Sequence, residues 1–318
     1  MFCNMKGAAV NSQYNDKSHV VKKFSDRDIE GAKLYFEEYG YVVFENCIDD
    51  SCIDRFWSDF EENIQTNEKL TFSVWGKLYN GSEAPLEARR LPRVIDIEKY
   101  SLSILPIMLA DVVVSFLSQI YNAPPTCIQT LTYKFSSEQG AHSDKFLVSP
   151  GWAGSYDREF LTAAWFSFER ADERNGALII YPASHKIPKM QVGQFPSYGE
   201  YMAHCDAVCR NNGSFPVIFE ANRGDILFWD ADFVHAGGAI AEKDSLDTLP
   251  TRNSLVCHYA RLDATTGTEI EGRKVFEYRG SKFFGSPEFS ADTFIDPISK
   301  HRPKAERNKW EILRKLFR

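Results

Sequence analysis

The stretch "RGDILFWDADFVHAGG" (223–238) decides how this chain folds. Gly224-Asp225 has the chemistry of a turn. Residues 226–229 are a short aliphatic and aromatic run, and His235 stands just before a Gly-Gly pair that reads as a second turn. Five more runs share this texture: "CIQTLTYKF" (127–135), "LTAAWFSFE" (161–169), "ALIIYP" (177–182), "FPVIFE" (215–220) and "NSLVCHYARL" (253–262). Gly, Asn and Pro punctuate the spaces between them. Many short strands at such spacing predict a sandwich or barrel, not alternating βαβ units.

Upstream of Pro124-Pro125 the pattern is helical. Ser25-Asp26-Arg27-Asp28 reads as a capping box that opens a helix running to about Tyr39, with Gly40 as its stop. "YVVFENCI" (41–48) reads as a short strand. In "DDSCIDRFWSDFEENIQ" (49–65), Ile53, Phe56, Trp57, Phe60 and Ile64 share one helical face. Pro106, Asp111, Ser115 and Gln119 interrupt the apolar stretch 104–121, so it reads as a buried helix and not a membrane span. Residues 1–24 are polar and unpatterned. Residues 183–214 are long and mixed and read as a lid-like insertion. Residues 263–318 read as an extension packed on the core, closing in a terminal helix with Trp310, Leu313, Leu316 and Phe317 on one face.

The chain has 318 residues, 43% of them hydrophobic, which is enough for a substantial core. Its net charge of −7 argues against general affinity for nucleic acid or anionic membrane, although residues 300–318 carry eight Lys/Arg against two Glu. Seven cysteines, an odd number scattered along the chain, do not make a disulfide framework and fit a reducing cytoplasm. Cys205 and Cys209 lack the second pair that a zinc site needs and read as ordinary thiols. No secretory h-region is visible near the start. Composition leaves the oligomeric state open.

Chemistry enters with "GAHSDKF" (140–146). Residues i and i+2 of a strand edge point to one side, so His142 and Asp144 can act together. Two histidines and one carboxylate on one face of a metal make the open site of a non-haem Fe(II) oxygenase. His235 is the candidate for the distant histidine. Arg252, at the head of "RNSLVCHYA", has the fork that grips a carboxylate bidentately, and Ser254 lies two residues on, on the same face. Arg252 lies seventeen positions after His235, and the acidic "EKDSLDTLP" (242–250) between them is read as an extended turn. Arg261 is the alternative anchor, with the opposite strand parity. By residues alone, two other readings stand: a zinc hydrolase or isomerase on the same barrel, and a non-catalytic barrel that binds a small ligand.

"HSD" (142–144), "NGALIIYPASHK" (175–186), "GDILFWDADFVHAGG" (224–238), "RNSLVCHYA" (252–260) and "YGYVVFENCID" (39–49) together resemble the phytanoyl-CoA dioxygenase-like family of Fe(II)/2-oxoglutarate oxygenases. The resemblance spans roughly residues 25–262. It implies a mainly β fold with flanking α: a double-stranded β-helix (jelly-roll, cupin-like) core with N-terminal helices. It also implies Fe(II) on His142, Asp144 and His235, and 2-oxoglutarate held by Arg252 in a pocket that Gln129 and Trp165 line. O2 would be the second co-substrate. The implied reaction hydroxylates an unactivated C–H of a small molecule, for instance a natural-product intermediate, and releases succinate and CO2. Related halogenases carry a small residue in place of the carboxylate. With Asp144 present, hydroxylation, desaturation or ring formation is expected rather than chlorination.

Other candidates read as structural by default. His185 belongs to a turn, and His19 and His301 to solvated terminal segments. His204 lies in the insertion, where it could meet substrate. His258 shares strand parity with Arg252 and reads either as a pocket residue or as a satisfied interior histidine. Trp75, Tyr79, Trp152 and Tyr156 could shape a cavity, with packing as the default.

Overall fold

The computed structural model describes residues 19–74, 77–86, 88, 92–145, 161–190, 192–241, 248–261, 269–270 and 273–286. Strand β1 (Lys23–Phe24) precedes helix α1 (Ile29–Tyr39) and strand β2 (Tyr41–Phe44). The helix starts later than the sequence suggests. Ser25–Asp28 is a turn, closed by Asp28 N–H on the Ser25 carbonyl, and Asp28 is itself the N-cap, accepting from Gly31 N–H. Asp28 thus caps forward and does not reach back to Ser25. Gly40 does end the helix, its N–H donating to the Phe36 carbonyl.

Helix α2 (Asp50–Thr66) follows, with Ile53, Phe56, Phe60 and Ile64 buried and Trp57 half-buried against Phe168. Strands β3 (Thr71–Val74), β4 (Lys77–Asn80) and β5 (Arg93–Ile95) come next. The apolar stretch 104–121 forms two buried helices, α3 (Leu105–Met108) and α4 (Asp111–Tyr121). Among the described residues no single helix is long and apolar enough to cross a membrane, although the pair bent by 58° about its break passes by length and composition.

The remaining strands are β6 (Thr126–Tyr133), β7 (Thr162–Ser167), β8 (Leu178–Ile180), β9 (Val217–Phe219), β10 (Ile226–Asp230), β11 (His235–Gly237), β12 (Ser254–Ala260), β13 (Glu269–Ile270), β14 (Arg273–Tyr278) and β15 (Ser281–Gly285). They form two sheets. The large one runs β1-β2-β10-β7-β12-β6-β15-β14-β13, with β5 also pairing β6. The small one runs β11-β8-β9, and an antiparallel bridge to His142 extends it. Two such sheets face to face make the expected jelly-roll core.

Period-2 alternation sorts the large sheet into two faces. Val42 and Phe44, Ala164 and Phe166, Ile226 and Phe228, and Leu255 and Cys257 pack toward the helices. Tyr41 and Val43, Ala163 and Trp165, Leu227 and Trp229, and Val256 pack between the sheets. Both faces are covered, which is why these strands read as unbroken apolar runs.

The large sheet extends beyond residues 25–262. β1 pairs parallel with β2, and β15 pairs parallel with β6, so the extension adds strands to the large sheet. The terminal helix expected from Trp310, Leu313, Leu316 and Phe317, together with His301, lies outside the described residues. The insertion 183–214 is not a plain loop, for it carries helix α5 (Tyr198–Asn211) with Tyr201, Cys205 and Cys209 buried.

Candidate active site

His142 and His235 are fixed by the chain before their rings do anything. The bridge between them is reciprocal: each backbone N–H donates to the other's carbonyl at 3.0 Å. His142 is therefore anchored by one bridge and not by a strand, while His235 opens β11. Gly237 closes that strand, so the Gly-Gly pair is no turn at its start; Gly237 N–H donates to the Gln139 carbonyl and Gly238 N–H to that of Ala177.

The rings are also oriented. His142 Nδ1 lies 2.8 Å from the Gly140 carbonyl, and His235 Nδ1 lies 3.4 Å from that of Phe233. A carbonyl can only accept, so each Nδ1 donates and each Nε2 keeps its lone pair. Those Nε2 atoms face Asp144, His142 at 3.8 Å from Oδ1 and His235 at 3.9 Å from Oδ2. One ligand atom from each of the three residues falls within 4.8 Å of the others, so the group could hold a metal ion. Trp229 completes the arrangement: its indole N–H donates to Asp144 Oδ2 at 2.8 Å, and its ring lies 4.5 Å from that of His235.

Burial pushes His142 down to about 3, helped by the charge of His235. Burial lowers His235 as well. Burial alone would raise Asp144, but His235, His258 and His142 outweigh it and hold the carboxyl well below the usual range. At neutral pH the set is two neutral imidazoles and one carboxylate, the protonation state that metal binding requires.

The triad opens into a cavity lined also by Gln129, Trp165, Arg252 and His258. Arg252 is 2% exposed. One Nη donates to the Gly176 carbonyl, the guanidinium lies 5.7 Å over the Trp165 ring, and Nε has no hydrogen-bond partner. No carboxylate pairs with it among the described residues. Burial lowers it to about 10, which leaves it charged at neutral pH. A buried cation with no counter-ion is costly unless an anion comes to it. The donor set and this cation fit a divalent metal chelated by a dicarboxylate.

The family described as phytanoyl-CoA dioxygenase (PhyH) matches residues 36–245, about two thirds of the chain. The chain belongs to the phytanoyl-CoA dioxygenase family. Among curated relatives, the peroxisomal phytanoyl-CoA dioxygenase of Bos taurus is 24% identical over 277 residues, covering 81% of this chain and 76% of that protein. The Homo sapiens protein of that name is 24% identical over 285 residues, covering 80% and 76%. The epimerase SnoN, solved in complex with Fe3+, alpha ketoglutarate and nogalamycin RO, aligns at a TM-score of 0.54 and 17% identity, covering 84% of this chain and 98% of that one. The carbocyclase SnoK from nogalamycin biosynthesis aligns at 0.55 and 14%, covering 75% and 87%. At these identities the two structures speak for the fold. As a member of this family the chain is an Fe(II)- and 2-oxoglutarate-dependent oxygenase.

Within that family frame, the structure gathers most of the candidate residues and disperses others. His142, Asp144, His235, Arg252, Gln129 and Trp165 share one cavity. Ser254 shares the inward parity of Val256 and His258 and is fully buried, yet it does not line that cavity; its hydroxyl has no partner. Arg261 points elsewhere, to the Tyr121 carbonyl. His258 is a pocket residue and is not satisfied: neither ring nitrogen has a hydrogen-bond partner, although Nε2 lies 3.5 Å from Asp144 Oδ2. His19 is not solvated, for its Nε2 sits 2.6 Å from the Tyr41 hydroxyl. His185 is structural, its Nε2 at 3.2 Å from the Glu37 carbonyl. His204 packs on Phe195 and its Nε2 accepts from Met190 N–H, away from the cavity. Tyr79 lies on β4 under Lys77 and does not line the cavity either. Trp75, Trp152, Tyr156 and residues 242–247 of the acidic turn lie outside the described residues.

Sequence reasoning missed Trp229, Arg93, Tyr133 and Gln139. Arg93 sits on β5 directly across from Tyr133, stacks 5.3 Å over that ring, and has a buried Nε without a partner. For Trp229 a signal existed: it shares inward parity with Leu227 in the run that leads to His235.

Proposed function

We propose that this oxygenase hydroxylates an unactivated C–H bond of a small molecule, with Fe(II) held by His142, Asp144 and His235 and 2-oxoglutarate anchored by Arg252. The observation that carries this reading is the placement of a buried guanidinium, with no carboxylate paired to it among the described residues, in the same cavity as a metal-competent His-Asp-His group. A hydrolase on this barrel has no use for such a clamp. Bound iron and 2-oxoglutarate together supply the oxidising power, consuming O2 and releasing succinate and CO2.

The protein's part is placement. His142, Asp144 and His235 would hold the iron, and three protein ligands would leave room for co-substrate and O2. Trp229 fixes the carboxylate and the two backbone carbonyls fix the imidazoles, so the ligands are set before the metal arrives. Arg252 and the Trp165 ring fix the far end of the co-substrate. Leu131, Leu178 and Val256 keep that end dry, which strengthens the ion pair. Arg93, Gln129 and Gln139 give the remaining wall a polar character suited to a small polar molecule. Asp144 would ligate the metal where related halogenases carry a small residue, so oxygen chemistry is favoured over chlorination.

The test is 2-oxoglutarate turnover, followed as succinate, against a library of small polar molecules. Succinate is the right readout because proteins of this fold are described as an epimerase and a carbocyclase as well. Substrate-stimulated succinate that vanishes in H235A supports the reading. Purified, iron-loaded protein that binds no 2-oxoglutarate contradicts it.

A further inference from the structure

His258 is 3% exposed, on the inner face of β12, and both of its ring nitrogens lack hydrogen-bond partners. Its ladder neighbours are Gln129 on β6 and Ala163 on β7. An unsatisfied polar atom in a protein interior costs about 1–3 kcal/mol, so a buried ring with two of them calls for an explanation. Its Nε2 lies 3.5 Å from Asp144 Oδ2, the oxygen that already accepts the Trp229 indole N–H at 2.8 Å. His258 is not in the group whose ligand atoms come within 4.8 Å of one another, so it stands outside the metal and beside its carboxylate.

We propose that His258 is a positioning residue that, with Trp229, clamps the outer oxygen of Asp144 and so makes the carboxylate bind metal through one oxygen only. This inference rests on the metal-site reading above. Its physical basis is the count of coordination positions. A carboxylate free to rotate can offer both oxygens to a metal and occupy a position that the co-substrate or O2 needs. Two N–H donors converging on Oδ2 would hold it back and leave Oδ1, 3.8 Å from His142 Nε2, as the oxygen offered to a metal. Carrying its proton on Nε2, His258 closes the 3.5 Å gap by a small rotation, and its orphaned nitrogen then gains a partner. Outer-shell hydrogen bonds of this kind are worth about 10–100-fold in metal affinity.

The experiment is an anaerobic titration of metal-free protein with Co(II), read by the visible d–d bands that report coordination number, with a thermal melt of the metal-free protein alongside. H258F is expected to weaken Co(II) binding about 10–100-fold and to shift the bands toward higher coordination. H258Q keeps a side-chain N–H donor and is expected to recover most of the affinity and the wild-type bands. A merely structural role would move the melt and leave the bands alone. Should H258F not fold, H258N, polar but too short to reach Oδ2, is read against H258Q in its place. Wild-type bands and affinity within twofold in the donor-less variant overturn the clamp while leaving the metal site standing. Wild-type protein that takes up no Co(II), or H142A protein that takes it up equally well, overturns both.

Discussion

Arg252 is buried and forms no ion pair with a carboxylate among the described residues, and most of the site's chemistry turns on that residue. Losing one partner of a buried charged pair costs about 2–5 kcal/mol. R252Q should therefore raise the 2-oxoglutarate dissociation constant by about two orders of magnitude or more, measured on the iron-loaded protein. R252K keeps the charge but loses the fork, and should fall between the two. If R252Q binds 2-oxoglutarate as wild type does, the anchor lies elsewhere. His142, Asp144 and Arg252 were legible in the sequence because each belongs to a short local pattern. Arg93 was not, because its reach into the cavity depends on which strand lies opposite, and no local pattern records that; for Trp229 strand parity gave the inward direction but not the contact with Asp144. His258 was half legible: strand parity pointed it inward, but only the distance to Asp144 shows what it faces.

At the scale of elements, the site depends on a turn. Gly176 adopts φ +78°, and a Cβ there would meet the Gly238 carbonyl at 2.5 Å. Its own carbonyl is the acceptor for Arg252. G176A should thus lower the melting temperature and weaken 2-oxoglutarate binding together. Gly213 is the control. Its φ is +80° but nothing lies within 4 Å, so G213A should cost about 1–2 kcal/mol of backbone strain with no effect on the co-substrate. Equal effects of both variants on 2-oxoglutarate would contradict the link between turn and anchor. The seven strands read from the sequence are all present, and those of the large sheet are covered on both sides. Helix α5 was hidden because its buried stripe is only Tyr201, Cys205 and Cys209, in a segment otherwise rich in polar residues. Strands β14 and β15 were missed although Tyr278, Phe283 and Phe284 are buried, because they lie beyond the stretch that carries the motifs.

For the whole molecule, the site couples folding to pH. Burial holds His142 near 3 in the folded state, against 6.5 when unfolded. Between those values the unfolded chain takes up a proton that the folded one refuses, so stability falls as pH drops from about 6.5 toward 3. Asp144, held low, adds a loss in the same direction below its ordinary value of 3.8. Melts of the metal-free protein from pH 7 to 4 should show this slope, and H142Q should flatten it; an unchanged slope in H142Q would place the acid-sensitive group elsewhere. A sandwich or barrel was legible from strand spacing and the jelly roll from the family resemblance, while the parallel join β6–β15 was not, because it pairs segments far apart in the chain.

The central claim is that His142, Asp144, His235 and Arg252 form one centre for iron and 2-oxoglutarate. Its most direct test is the visible absorption of the protein with Fe(II) and 2-oxoglutarate under nitrogen. The account predicts a metal-to-ligand charge-transfer band in wild type, absent in H235A and restored in R252Q only at far higher 2-oxoglutarate. A wild-type protein that gives no band at saturating iron and 2-oxoglutarate would contradict it.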